Sequence, residues 1–475
     1  MSRRHRFASV AAVAAVVAIA VLLSASVAPV VAQPLPAARL VATRVDSLAR
    51  AWIATRGSPG LSIAVVRDRD TLVFAAWGMA ELENDVAATP RTVYEIGSIT
   101  KQFTSAAVMQ EVERGRVRLD DSIATYLPTL PAAWRPVTVR QLLNHTSGIP
   151  SYTNLGVRWV RRWGEEMPPD TLVALTAGEP MSFPPGTQWQ YNNTGYVILG
   201  MLIEKVTSRS WADDVQARFA GPLGLPDTRW CDVKPIIARR ARGYEPDGRS
   251  FRNAAFLAMT QPFSAGALCS TVGDLSKWNA LLHGGRVVSA TSYAAMTTPA
   301  GAAATGRMRY GFGLAADTLG GRTMIQHGGG INGFLSENAW FPDSRTSVTV
   351  FTNSGSGSPG KLMRQVARAA LGIPLVQPPA RIALSAAERA AYVGAYDLAL
   401  PTGPRPFTIT EQDGALFGKL DAPGQGTFEL VPYGKHTFGA EADDTMRLIF
   451  TVDGGRASGF ALQQRGTSMP ATRRP

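Results

Sequence analysis

Ser98 and Lys101 stand three residues apart at the head of an apolar stripe that runs through Phe103, Ala106, Ala107, Val108 and Met109 to Val112. That spacing predicts a helix from Ser98 to near Gly115, the glycine lying just past its end. Residues three apart share a helix face, with Cβ atoms roughly 5–6 Å from each other. The amine of Lys101 is therefore in reach of the Ser98 hydroxyl. A serine is a poor nucleophile until a neighbour takes its proton, and a lysine kept neutral by burial can do so. The start of the helix adds free N–H groups and a positive dipole end, which favour an oxyanion beside Ser98.

Ser-x-x-Lys alone is a weak signal, because Ser358-Pro359-Gly360-Lys361 matches it too. There, Ser358 reads as an N-cap and Pro359 as the first helical residue of a segment reaching Leu371. Acyl transfer from Ser98 also needs a second acid/base and backbone donors across the substrate. Tyr191-Asn192-Asn193 offers a phenol whose proton a nearby lysine cation would loosen, and Asn193 offers an amide to hold a carbonyl or orient Lys101. Tyr152-Thr153-Asn154 is a weaker rival. His327-Gly328-Gly329-Gly330 lies between two strand-like segments, so that Gly329 and Gly330 let a substrate approach a strand edge. The N–H of Gly330 can join that of Ser98 in an oxyanion hole. His283-Gly284-Gly285 repeats the pattern but ends a helix and reads as a cap.

The surrounding elements have to bring these groups together. A helix is expected over Leu35 to Thr55, then a hairpin of Leu61–Val66 and Thr71–Ala76. A largely helical stretch follows over about 119–230, with a strong helical pattern from Gly195 to Val206. Strand signals return at Tyr310–Ala315, Thr323–Gln326, Leu335–Phe341 and Ser347–Thr352. This is an α+β order with a helical insert, occupying 35–373. Residues 374–383 (Ile373-Pro374-Leu375-Val376-Gln377-Pro378-Pro379 and the residues after it) read as a linker. From 384 to 470 short alternating segments recur: Tyr392–Tyr396, Phe407–Thr410, Ala415–Leu420, Phe428–Pro432, Thr445–Val452 and Gly459–Gln463. They predict a small β-barrel or sandwich. No repeat at solenoid period is visible.

With 475 residues and 45% hydrophobic composition, the chain can bury two or three domains' worth of core. Residues 1–32 read as a secretory signal peptide: a basic start, an apolar run from Phe7 to Ala28 and small residues at Val30-Val31-Ala32. The alternative is an uncleaved anchor; no other stretch approaches spanning length. A secreted or periplasmic protein is expected. The formal charge is +12, with three of the arginines in the leader, and the excess is scattered without aromatic interleaving. Nucleic acid is therefore not expected as a partner. Cys231 and Cys269 are the only cysteines, and either a bridge or two buried thiols fits. The five histidines are too dispersed for a zinc hydrolase, so neither metal nor cofactor is expected. No Gly-x-Ser-x-Gly elbow is present, which argues against an α/β-hydrolase.

The order Ser-x-x-Lys, Tyr-x-Asn, His-x-Gly, together with His145-Thr146-Ser147-Gly148-Ile149 and Tyr191-Asn192-Asn193-Thr194-Gly195-Tyr196, resembles the class C β-lactamase-related serine hydrolases. That group spans β-lactamases, DD-peptidases and β-lactamase-like esterases. The resemblance covers about Leu40 to Leu371. It implies a β-lactamase/transpeptidase-like α/β (α+β) fold: an antiparallel sheet flanked by helices, with an all-helical subdomain. It also implies roles: Ser98 the acylated nucleophile, Lys101 its proton partner, Tyr191 the acid/base and Asn193 a polar clamp. His327 stands where many β-lactamases have the lysine of Lys-Thr-Gly, as in peptidase- and esterase-like members. The implied activity is hydrolysis of esters or amides, of esterase or D-amino-acid peptidase type, on a small ester, peptide or β-lactam substrate, with a true β-lactamase and a non-catalytic penicillin-binding sensor as alternatives. A sensor would be marked by a missing Lys101 or Tyr191, and both are present. The tail from Leu384 to about Gly466 resembles the small β-domain that often follows this catalytic domain.

Overall fold

The structure is a computed structural model. It describes residues 35–475 except 56, 248–249, 307, 377–379, 401–402, 422–426, 441–442 and 465–466. The leader over 1–32 and Gln377, Pro378 and Pro379 of the expected linker lie outside the described residues.

A helix (Ala38–Ala54) opens the chain and leads into β1 (Gly60–Arg67), β2 (Asp70–Glu81) and the short β3 (Val86–Ala87). Much later come β9 (Ala315–Leu319), β10 (Arg322–Ile331), β11 (Phe334–Phe341) and β12 (Thr346–Thr352). All seven form one antiparallel sheet in the order β3-β2-β1-β12-β11-β10-β9, with β1 beside β12 from Leu61↔Thr352 to Arg67↔Thr346. The first helix packs against the helix Pro359–Leu371, and both lie on the sheet. Alternation along β1 is what lets it serve more than one layer: Ala64 belongs to the large core that also holds the helix after Ser98.

That helix, Thr100–Glu113, is buried on nearly every side, so its polar residues each need a partner. Gln102 accepts the Trp278 indole N–H at 2.9 Å, Thr104 donates to the Ser264 carbonyl at 2.7 Å, and Ser105 meets the Tyr196 hydroxyl at 3.0 Å. Phe103 stacks on Trp278 with centroids 3.9 Å apart. The expected helix is thus present, but Ser98 itself lies in a preceding 3₁₀ turn, Gly97–Ile99. Between this helix and residue 230 the chain is mainly short helices, the longest being Asn193–Thr207. Two small sheets border this region: β4 (Tyr94–Glu95), β5 (Arg229–Trp230) and β8 (Leu268–Ser270) in the order β4-β8-β5, and a hairpin of β6 (Tyr244–Asp247) and β7 (Ser250–Asn253).

One expected strand is misplaced. Tyr310–Ala315 is a turn stabilised by a bridge between its ends, and the strand starts at Ala315. Gly313, at φ +70°, takes the chain out of extended geometry there. At the second Ser-x-x-Lys, the helix starts at Pro359 as expected, although the Ser358 side chain makes no cap hydrogen bond.

The tail is a closed barrel of eight antiparallel strands: β13 (Gly394–Leu400), β14 (Gly403–Gln412), β15 (Ala415–Leu420), β16 (Phe428–Gly434), β17 (Thr437–Ala440), β18 (Asp443–Asp453), β19 (Arg456–Gln464) and β20 (Thr467–Arg473). Leu398 pairs with Ala471 to close it. Tyr396, Phe407 and Phe450 each pack on Phe460 with centroids 5.1–5.3 Å apart, filling a barrel of this size with side chains. Cys231 and Cys269 are both free and buried, in one small cluster with Val93, Met259 and Ala267. Among the described residues no helix is long and apolar enough to cross a membrane, and no group of His, Cys, Asp and Glu is placed to hold a metal ion.

Candidate active site

The Ser98 turn is fixed from two sides. Ile96 donates its N–H to the Leu268 carbonyl at 3.0 Å, and its own carbonyl accepts the Ser336 hydroxyl at 2.9 Å. Gly97 has φ +48°, and a Cβ there would fall 2.8 Å from the Gly330 nitrogen. A Cβ on Gly329 would fall 2.0 Å from the Ile96 carbonyl oxygen. Gly329 therefore admits the Ser98 turn rather than a substrate, a correction to the expectation that both glycines border the substrate. Gly330 does line the cleft, with Ser98 and Asn193.

Strand β10 outruns its neighbour. It pairs with β9 only from Arg322 to Gln326, so among the described residues no strand covers its edge from His327 onward. On the other side Ile331 and Phe334 close a two-residue turn. Bonded and non-bonded pairs alternate along an antiparallel ladder, so the N–H and C=O of Gly330 turn to the open edge, towards Gly97 and Ser98.

Lys101 is fully buried, and its Nζ has three neighbours: Ser98 Oγ at 3.1 Å, Asn193 Oδ1 at 2.8 Å and the Ala265 carbonyl at 2.7 Å. Burial holds its pKa well below the ordinary lysine value. A neutral amine has two N–H bonds and one lone pair. The two carbonyl oxygens take the N–H bonds, which leaves the lone pair for the Ser98 proton. Asn193 is oriented for this because its Nδ2 donates to Thr153 Oγ1 at 3.1 Å.

Tyr191 is half-buried, with its hydroxyl shielded from solvent. Its hydroxyl is directed at Ser98, yet it closes no hydrogen bond of proper geometry among the described residues. Burial pushes its pKa well up, against the expectation that Lys101 would loosen its proton. The reason is that burial penalises the phenolate, and Lys101, itself held below its ordinary pKa by burial, does not offset that penalty. Tyr152, the rival, commits its hydroxyl to the Gln261 carbonyl at 2.8 Å.

His327 is buried, and both of its ring nitrogens are engaged. Its Nδ1 faces the Gly328 carbonyl at 2.6 Å and its Nε2 faces the Tyr310 hydroxyl at 2.7 Å. Burial, then the nearby Lys101 position, push its pKa down to about 3. The neutral ring donates from Nδ1 and accepts from Tyr310, so neither nitrogen is left for a substrate carboxylate. Tyr310 has no counterpart in the sequence reading, because it stood at the head of an apparent strand. The Ala265 carbonyl has none because a backbone atom leaves no side-chain signature.

The phrases around His145 and Tyr191 form one unit. Asn192 caps the Asn193–Thr207 helix by accepting the Gly195 N–H at 2.7 Å, donates to the Ile149 carbonyl, and gives its own N–H to His145 Nδ1 at 3.2 Å. His145 has φ +64°, and its ring lies 4.4 Å from that of Tyr191 and 4.5 Å from that of Tyr310. Trp159 and Trp163 line the cleft, while Arg158 and Arg162 pair with Glu179 and Glu165. The cleft volume is about 510 Å³.

Residues 38–372 match the Beta-lactamase family. The chain is 31% identical over 329 residues to a D-aminopeptidase from Brucella canis, a match covering 67% of this chain and 61% of that relative's length. It is 26% identical over 431 residues to penicillin-binding protein 4* of Bacillus subtilis, covering 85% of this chain and 92% of the relative. Among solved structures, a D-stereospecific amidohydrolase from Streptomyces sp. superposes with a TM-score of 0.58 at 30% identity, over 69% of this chain and 98% of that one. With the Ser98 turn, the buried lysine and the open edge of β10 in their places, the chain belongs to the Beta-lactamase family.

Proposed function

We propose that the chain hydrolyses amides of D-configured aminoacyl groups through an acyl-enzyme on Ser98. The observation that carries this is the set of three contacts made by Lys101 Nζ, which leaves a lone pair aimed at Ser98 Oγ. The Ser98 proton passes to Lys101 as Oγ attacks the substrate carbonyl. The oxyanion is met by the N–H groups of Ser98 and Gly330, each worth about 3–4 kcal/mol in such a hole. The leaving amine takes a proton from the Lys101 ammonium, with the high-pKa Tyr191 phenol placed to relay it. Water then enters and gives a proton to Lys101 as it attacks the acyl carbonyl, and Lys101 passes that proton to Ser98 Oγ as the acyl–oxygen bond breaks and the acid leaves.

Support for D-aminoacyl amides over β-lactams comes from the D-aminopeptidase and D-stereospecific amidohydrolase relatives. It comes also from His327, which offers no fixed charge for a β-lactam carboxylate. The leader over 1–32 is proposed to export the chain, and the barrel to be a separate domain beyond the 374–383 linker. The test is release of ammonia from D- and L-phenylalanine amide, with intact-mass detection of a fluorophosphonate adduct. Turnover of the D-amide and one adduct lost in Ser98→Ala are expected. Preference for the L-amide overturns the substrate class; an adduct that persists in Ser98→Ala or maps to Ser358 overturns the mechanism.

A further inference from the structure

Beyond Gly330 the cleft holds groups that the hydrolytic chemistry leaves unused. Ile331 and Asn332 continue its wall, and Glu245 of β6 enters there. One carboxylate oxygen accepts the Gly333 N–H at 3.3 Å, a long contact. Gly355 makes room for the group, since a Cβ there would lie 2.1 Å from the same oxygen. Arg252 sits opposite Glu245 in the hairpin register and also lines the cleft, but it forms no ion pair with it. Among the described residues no other cation pairs with Glu245. Burial raises its pKa, opposed only by the Gly333 N–H and by Arg252 at longer range. Trp159 and Trp163 line the same cleft, edge to face at 5.6 Å.

The two halves of the cleft can be told apart. The leaving amine must lie where Lys101 and Tyr191 can return a proton to it, and the Tyr191 ring is 6.2 Å from that of His327. The leaving group therefore belongs at the His327 end of the open β10 edge and the acyl group at the Gly333 end. Strand β10 ends at Ile331 and Gly333 stands in the turn beyond it, so Glu245, held at Gly333, lies past the end of the edge that the reacting carbonyl occupies. That is too far for an amine on the reacting aminoacyl carbon and suits one several bonds behind it.

We propose that Glu245 receives a primary ammonium carried several bonds behind the scissile carbonyl, so that the chain selects cationic acyl groups. The proposal rests on the Ser98 acyl-enzyme reading and adds a charge preference to it. Two sources of such an amine exist, a peptide N-terminus and a lysine-type side chain. Matched p-nitrophenyl esters distinguish them: glycyl-D-alanyl against acetylglycyl-D-alanyl, and Nα-acetyl-D-lysyl against Nα-acetyl-D-norleucyl. In at least one pair the cationic ester is expected to have kcat/KM about tenfold higher, equivalent to about 1.4 kcal/mol. The difference should lie mainly in KM, as for binding made equally in ground and transition states. Glu245→Gln should bring that ratio to about one, and Arg252→Gln, at an exposed position that repels the same cation, should raise it. Turnover of all four esters without a charge preference, or a preference kept by Glu245→Gln, overturns the assignment and leaves the hydrolase reading standing. No p-nitrophenol from any ester overturns both.

Discussion

Lys101→Met asks whether the buried amine is neutral in the fold. Methionine keeps the length of the side chain and loses the contacts to Ser98, Asn193 and Ala265. The Asn193 and Ala265 carbonyls are then stranded, at about 1–3 kcal/mol each. Against that, the wild type must deprotonate a lysine in order to fold. The unfolded pKa is about 10.4, and burial holds the folded one well below it. Between the two values the unfolded chain binds one proton more, so wild-type stability rises with pH by about 1.4 kcal/mol per unit and levels off near the unfolded pKa. The methionine variant lacks this slope. The stability of wild type relative to variant should therefore grow as the pH is raised toward the unfolded pKa, by up to about 1.4 kcal/mol per unit. Guanidinium unfolding followed by tryptophan fluorescence measures it, and all ten tryptophans lie at or before Trp340, so the barrel is silent. Acylation should be lost in the variant at every pH. Parallel stability curves would mean that Lys101 is charged in the fold and cannot take the Ser98 proton.

Tyr310→Phe leaves the buried His327 Nε2 without its donor and should cost about 1–3 kcal/mol, read from the denaturant midpoint; an unchanged midpoint would remove Tyr310 from the site. Gly329→Ala drives a Cβ into the Ile96 carbonyl and should lower acylation by at least about tenfold, since the Ser98 turn must move. Gly115→Ala, with φ +72° and nothing within 4 Å, should cost only about 1 kcal/mol and acylate normally. Neither Cys231 nor Cys269 should react with Ellman's reagent in the native protein, and both should react in denaturant; a native reaction would contradict their burial.

The pairing of Ser98 with Lys101 could be read from the sequence because the 3₁₀ turn of Ser98 runs straight into the helix of Lys101, so that three-residue spacing alone brings them together. Tyr191 and Asn193 were legible for a similar reason: they stand at the cap of a helix with a strong periodic pattern. What was not legible comes from contacts between distant segments. Ala265 reaches Lys101 through a backbone carbonyl, and Tyr310 reaches His327 from a turn that imitated a strand. Tyr191 comes beside Lys101, its ring centroid 4.8 Å from Nζ, but its pKa is raised rather than lowered, because burial of the phenol is a tertiary effect that residue spacing does not show. In the barrel, β17 and β20 escaped notice: Thr437–Ala440 is only four residues long, and Thr467–Arg473 carries few apolar residues to mark it.

The neighbourhood of β1 and β12 sets an order of events in time. Leu61 finds its partner at Thr352, so the middle of the sheet cannot close until almost the whole hydrolase segment has left the ribosome. Pairings of such long range are slow to form. The open edge of β10 belongs to the late half of that sheet, and the Lys101 amine is shielded by residues contributed from Asn193 and Ala265. In a partly made chain the lysine is hydrated and charged, and Ser98 has no proton acceptor. Nucleophilicity is thus a late product of folding, and an unfinished chain has no hydrolytic activity that would need restraint.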